Sequence, residues 1–185
     1  MSDVTRFAAS LLLAFAFAAA IAGCVVSEED DYTVTLNADH TSGTLTVVRF
    51  NVQSDERDPV KQQEDFAELM KAWKSDAYLL EQTKEGVYVK ERDLSARAGK
   101  LVWTETSLFA DIGKLFTRDI VADTLRLSIG KGESVLATNG IVVRTADTTI
   151  VKWPVTTKSY RLRIRHDDFQ PTSDFAAEFR RRSGK

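Results

Sequence analysis

The 185-residue chain contains one cysteine, Cys24. No internal disulfide can form, and a cysteine-rich metal site is excluded. Histidine is almost as scarce, with His40 and His166 the only two. The local signatures of common enzyme classes are also absent. There is no Gly-x-Ser-x-Gly elbow, no phosphate loop, no His-Glu-x-x-His and no dinucleotide fingerprint. After the apolar run Ala8–Ala22 no second run reaches spanning length, and no internal repeat or low-complexity tract follows. With 25 basic residues against 27 acidic ones the formal charge is −2, so nothing points to nucleic acid as a partner.

What is present begins with an export signal. Met1–Phe7 is a short leader carrying Asp3 and Arg6, and Ala8–Ala22 reads AASLLLAFAFAAAIA. This run is shorter than the roughly 20 residues a membrane-spanning helix needs and suits the apolar core of a signal peptide. It ends in Ile21-Ala22-Gly23-Cys24: an aliphatic residue, two small residues that fit a peptidase groove, then cysteine. These four residues resemble the lipobox of bacterial lipoproteins. The resemblance implies cleavage before Cys24, loss of residues 1–23, and a thioether from the Cys24 thiol to diacylglycerol, often with acylation of the new amino terminus. Two or three acyl chains together make desorption from a membrane very slow. The expected location is the cell envelope. Val25 stands where aspartate would resemble an inner-membrane retention signal, so the outer membrane is the better expectation. Residues 24–31 (CVVSEEDD) are acidic and read as a tether.

Residues 32–168 read as one domain. Alternating segments predict strands at Tyr32–Asn37, Gly43–Val52, Gly86–Arg92, Lys100–Thr106, Thr124–Ile129, Ile141–Arg144, Thr149–Val155 and Tyr160–Arg165. Asp58 can cap a helix with Pro59 in its first turn, and Phe66, Leu69, Met70, Trp73, Ala77 and Leu80 follow at helical spacing. A shorter helix is predicted from Leu108 to Phe116, with Ser107 as its cap. The order predicts an α+β fold, an antiparallel β-sheet with one long and one short helix packed on one side. Residues 169–185 read as a basic C-terminal tail.

No residue presents itself as catalytic. His166 adjoins Asp167 and Asp168, but neighbours on a strand point to opposite faces, so it reads as a surface residue. The acidic runs lack the glycine-turned spacing of a calcium loop, and no metal or cofactor is expected. Trp73, Trp103 and Trp153 each lie on an apolar stripe, serving either the core or a ligand pocket. In the last strand Tyr160, Leu162 and Ile164 share one face, and Arg161, Arg163 and Arg165 share the other. Those arginines are the candidate site for an anionic lipid or glycolipid. The competing reading is a solvated face neutralised by acids such as Glu91 or Asp93.

The Ser42-Gly43-Thr44 turn, the segment Ser107–Phe116, the pair Asn139-Gly140 and the strand Thr149–Trp153 together resemble LppM-type bacterial lipoproteins. That resemblance implies a non-enzymatic envelope domain in a family whose shape has suggested lipid or glycolipid binding. The expected function is a membrane-anchored lipoprotein that binds a lipid, a glycolipid or a partner protein. The alternative is a structural or assembly lipoprotein of an envelope complex, with no small-molecule site.

Overall fold

A computed structural model describes residues 25–84, 86–119 and 122–183. The signal segment and the lipobox Ile21–Cys24 lie outside the described residues. Twelve strands are described: β1 Val25–Val26, β2 Glu29–Leu36, β3 Gly43–Phe50, β4 Gln53–Ser54, β5 Val87–Arg97, β6 Lys100–Phe109, β7 Thr117–Asp119, β8 Thr124–Ile129, β9 Glu133–Thr138, β10 Ile141–Arg144, β11 Thr149–Pro154 and β12 Ser159–His166. The helices are α1 Pro59–Lys74, α2 Asp76–Lys84 and α3 Phe175–Ser183. The fold is α+β. A six-stranded antiparallel sheet in the order β5-β6-β3-β2-β12-β9 carries the long and the short helix, and a four-stranded sheet runs β10-β11-β8-β7.

The inner face of the large sheet supports two apolar cores. Val34, Leu45, Val47, Tyr160 and Leu162 meet Phe116, Val151 and Trp153, so one half of the face is covered by the small sheet. Over the other half, Phe66, Leu69, Tyr78, Phe175 and Phe179 from the helices cover Leu94, Leu101 and Trp103. At the β2–β3 turn Asp39 accepts from the Ser42 hydroxyl at 2.6 Å and from the Ser42 and Thr41 amides, each at 2.9 Å, and these bonds hold its pKa down at about 2. Gly43 is required just beyond, because a Cβ there would run into the Thr35 carbonyl and the Phe109 ring. Asn139 and Gly140 form the crossing from one sheet to the other. The Asn139 Oδ1 accepts from Trp153 Nε1 at 2.9 Å and from the Arg161 amide at 2.8 Å, and a Cβ at Gly140 would run into the Trp153 ring.

Several expectations need correction. Residues 25–31 are not a free tether: β1 pairs with β4, and β2 already starts at Glu29. Asp30 is only 2% exposed, because basic partners inside the fold compensate the charge that suggested solvation. Nor are residues 169–185 wholly a loose tail. The buried Gln53 accepts from the Thr172 and Ser173 amides at 3.2 and 3.3 Å, and α3 buries Phe175, Ala176 and Phe179. The run of arginines obscured that apolar i, i+1, i+4 face. The short helix expected over Leu108–Phe116 is instead the end of β6 followed by one 3₁₀ turn at Ile112–Lys114, capped by Asp111. Asp58 does cap α1, accepting from the Val60 amide at 2.8 Å. The predicted stripe fails after Trp73, because the chain breaks at Ser75. The new helix turns Tyr78 inward and leaves Leu80 64% exposed.

Candidate functional site

A row of polar side chains crosses the inner face of the large sheet between the two cores. Strand alternation places them there. Asp30 is in phase with Val34 and Leu36, Arg49 with Leu45 and Val47, and His166 with Tyr160, Leu162 and Ile164. Register completes the row: Arg49 lies opposite Asp30 on one side and Trp103 on the other, and His166 lies opposite Glu133.

Asp30 is the centre. It accepts from Ser27 Oγ at 2.6 Å and from Tyr32 OH at 2.9 Å. His166 Nε2 lies 3.5 Å from its Oδ2, and Arg49 Nε lies 3.9 Å away. Burial pushes the Asp30 carboxyl up, but the His166 hydrogen bond, the Arg49 charge and the Ser27 hydrogen bond outweigh it and hold the pKa below the usual value. His166 is shifted the other way. Its bond to Asp30 raises its pKa against the opposing effect of burial, with help from the charges of Asp30, Glu133 and Asp168. Glu133, 3.6 Å from His166 Nδ1, is raised chiefly by burial. Further along the row Tyr78 OH donates to the buried Glu105 at 2.7 Å.

Above the row lies a cavity of about 500 Å³. Its polar wall includes Asp30, Arg49, Glu133 and His166, and its apolar wall includes Val25, Val26, Val52, Trp103 and Phe169. Asn51 precedes the lining residue Val52, and its φ of 57° lies in the left-handed region that asparagine tolerates. It ends β3 there and turns Val52 inward, where the Val52 amide donates to the Leu101 carbonyl at 2.9 Å. Among the described residues, five buried side-chain atoms have no hydrogen-bond partner: Arg49 Nε, Trp103 Nε1 and the hydroxyls of Thr104, Thr124 and Tyr160. No family model, curated protein or solved structure significantly matches this chain.

The sites named from sequence fall elsewhere or change character. Arg161, Arg163 and Arg165 do project from the outer face of β12 and are exposed. Glu29, directly opposite Arg165 on β2, pairs with two of them. It accepts from Arg163 Nη2 at 2.5 Å and from Arg165 Nη2 at 3.1 Å. Burial tends to raise the Glu29 pKa, but these bonds and charges bring it below the ordinary value. Glu91 and Asp93 cannot serve that role, since β6, β3 and β2 separate β5 from β12. His166 is not a plain surface residue. Its parity with Ile164 was the available signal. Trp153 belongs to the core, Trp103 serves both core and cavity, and Trp73 is half-buried, edge-on to Phe179 with ring centroids 6.2 Å apart. Among the described residues no group of three His, Cys, Asp or Glu side chains is placed to hold a metal ion. Asp30 and Glu133 lie on opposite nitrogens of the His166 ring and so do not converge on one point.

Proposed function

We propose that this protein is a non-enzymatic lipoprotein of the bacterial cell envelope, anchored in a membrane through lipid on Cys24. Its domain holds the polar end of a lipid or glycolipid in the cavity above Asp30 and Arg49. The observation that carries this reading is that Val25 and Val26, the residues that follow Cys24, line that cavity. A lipid anchor would therefore leave the domain beside the mouth of an amphipathic pocket, with apolar side chains on one wall and hydrogen-bonding groups on the other. The likeness to LppM-type lipoproteins points to the same class of ligand, and Val25 after the cysteine fits the outer membrane better than the inner one. The polar row supports binding better than turnover. Ser27 donates its hydroxyl to Asp30, and His166 is flanked by a carboxylate at each ring nitrogen, so neither forms a nucleophile and base pair. The pairing of Arg163 and Arg165 with Glu29 makes the outer arginine face the weaker place for an anionic lipid. The test is native mass spectrometry of the full-length lipidated protein purified in a neutral detergent. A non-covalent lipid adduct is expected, and it should be lost in Val26→Asp. An adduct-free wild type would refute the reading.

A further inference from the structure

The segment 167–173 runs from β12 to α3 and places Asp168, Phe169 and Gln170 on the cavity lining. It is fastened at both ends. At the far end the Gln53 side chain accepts from the Thr172 and Ser173 amides. At the near end the Asp167 amide donates to the Gly132 carbonyl at 2.8 Å, and the Asp167 carboxylate accepts from Ser134 Oγ at 2.7 Å. The near end therefore follows the corner 130–134, where β9 starts, and β9 is an edge strand whose pairing with β12 shifts register between Arg163 and Ile164. The side chain that ties this corner across β12 to β2 is His166, with Glu133 3.6 Å from its Nδ1 and Asp30 3.5 Å from its Nε2. A protonated ring donates from both nitrogens, whereas a neutral ring donates from one and turns a lone pair on the carboxylate at the other. The charged groups facing the ring are Asp30 from β2, Glu133 from β9 and Asp168 from the segment itself. Tyr32 and Arg49 act on it through Asp30, and Asp55 shares the cavity lining. Asp30 is 2% exposed and is also held by Ser27, Tyr32 and Arg49. Glu133 has only the Gly130 amide besides, within its own corner, so it is the carboxylate that a neutral ring releases.

We infer that residues 167–170 form a pH-sensitive latch on the cavity, shut while His166 bridges Asp30 and Glu133 and released on the Glu133 side when the ring gives up its proton. Release frees the corner 130–134 from β2 and, through the bonds of Asp167 to Gly132 and Ser134, carries Asp168, Phe169 and Gln170 off the lining. The latch opens as pH rises, because the bond to Asp30 and the neighbouring carboxylate charges hold the His166 pKa above the usual histidine value. Asp30, Glu133 and Asp168 then repel one another around a neutral ring, which adds to the opening. The latch is independent of the lipid-binding reading: it controls entry and exit for whatever occupies the cavity.

The test is hydrogen–deuterium exchange, read by mass spectrometry, on the full-length lipidated protein in neutral detergent. It is run at about pH 6 and about pH 9, on either side of the histidine range, with rates corrected for the intrinsic pH dependence of exchange. The Asp167 and Phe169 amides donate to the Gly132 and His166 carbonyls, so peptides covering them report the latch. Their protection should fall at least about tenfold at the higher pH, the scale of one hydrogen bond to a charged group, while peptides from β3 keep theirs. His166→Gln, which does not titrate, should give the same protection at both pH values. Glu133→Gln should stay protected at the higher pH, because its amide can donate to the free ring nitrogen. Undiminished protection of the wild-type segment at the higher pH would overturn the inference. An equal loss in β3 would also overturn it, by marking the change as global unfolding. An equal loss in Glu133→Gln would do the same, by showing that Glu133 is not the group that lets go.

Discussion

Asp30 concentrates the electrostatics of the domain in one carboxylate. Removing it leaves Arg49 buried without its counter-charge and deprives Ser27, Tyr32 and His166 of a common acceptor. Breaking such a buried group from one side costs about 3–5 kcal/mol, so Asp30→Ala should lower the urea midpoint by a corresponding amount. The pH dependence of stability follows from His166. Its folded pKa is raised, so the protonated ring stabilises the native state. That contribution is complete below the unfolded value of about 6.5 and disappears as pH rises through the folded value. Glu133, also raised, acts in the same direction but from about pH 4.3 upward. Thermal melts started at pH 6 should therefore show the melting temperature falling as pH rises, and His166→Gln should flatten the fall. A parallel curve for the variant would show that His166 does not titrate against Asp30.

At the scale of elements, α3 is the clearest departure from the sequence reading. Phe179 sits edge-on to Trp73, and Phe175 edge-on to Phe66 at 5.1 Å, so α3 closes the helical core. Phe179→Ala should destabilise the domain by about 3–5 kcal/mol, measured by urea unfolding, where a solvated tail would show almost no change. The strands that alternate cleanly, β3 and β12, and the capped start of α1 were legible because one periodicity and one capping residue decide each of them. Less legible were elements whose composition opposes their burial. Asp30 at the start of β2 read as solvated charge, although its partner Arg49 is supplied by the fold, and in α3 the exposed Arg180–Arg182 drew the reading away from the buried Phe175, Ala176 and Phe179. Strand parity extended from Val34, Val47 and Ile164 is enough to put Asp30, Arg49 and His166 on the inner face, although Asp30 read as tether and His166 as surface. What it could not supply was the order β6-β3-β2-β12-β9 that brings them into one row, since that order depends on long-range pairing.

For the whole molecule, the anchor and the domain are separable claims. Cys24→Ala should leave the chain unlabelled by a fatty-acid probe and soluble or unprocessed, with the melting temperature of the domain preserved. Equal labelling of variant and wild type would refute lipidation at that residue. The position of Val25 then has a consequence for affinity. Consecutive Cα atoms are about 3.8 Å apart, so a lipid on Cys24 would confine the cavity mouth to the bilayer surface, where encounter with headgroups becomes a two-dimensional search. Short tethers create effective concentrations in the millimolar range, and a dissociation constant near 1 mM, about −4 kcal/mol, would suffice for substantial occupancy. A cavity held in this way would exchange its occupant rapidly and follow the lateral composition of the leaflet, without extracting any one lipid from it.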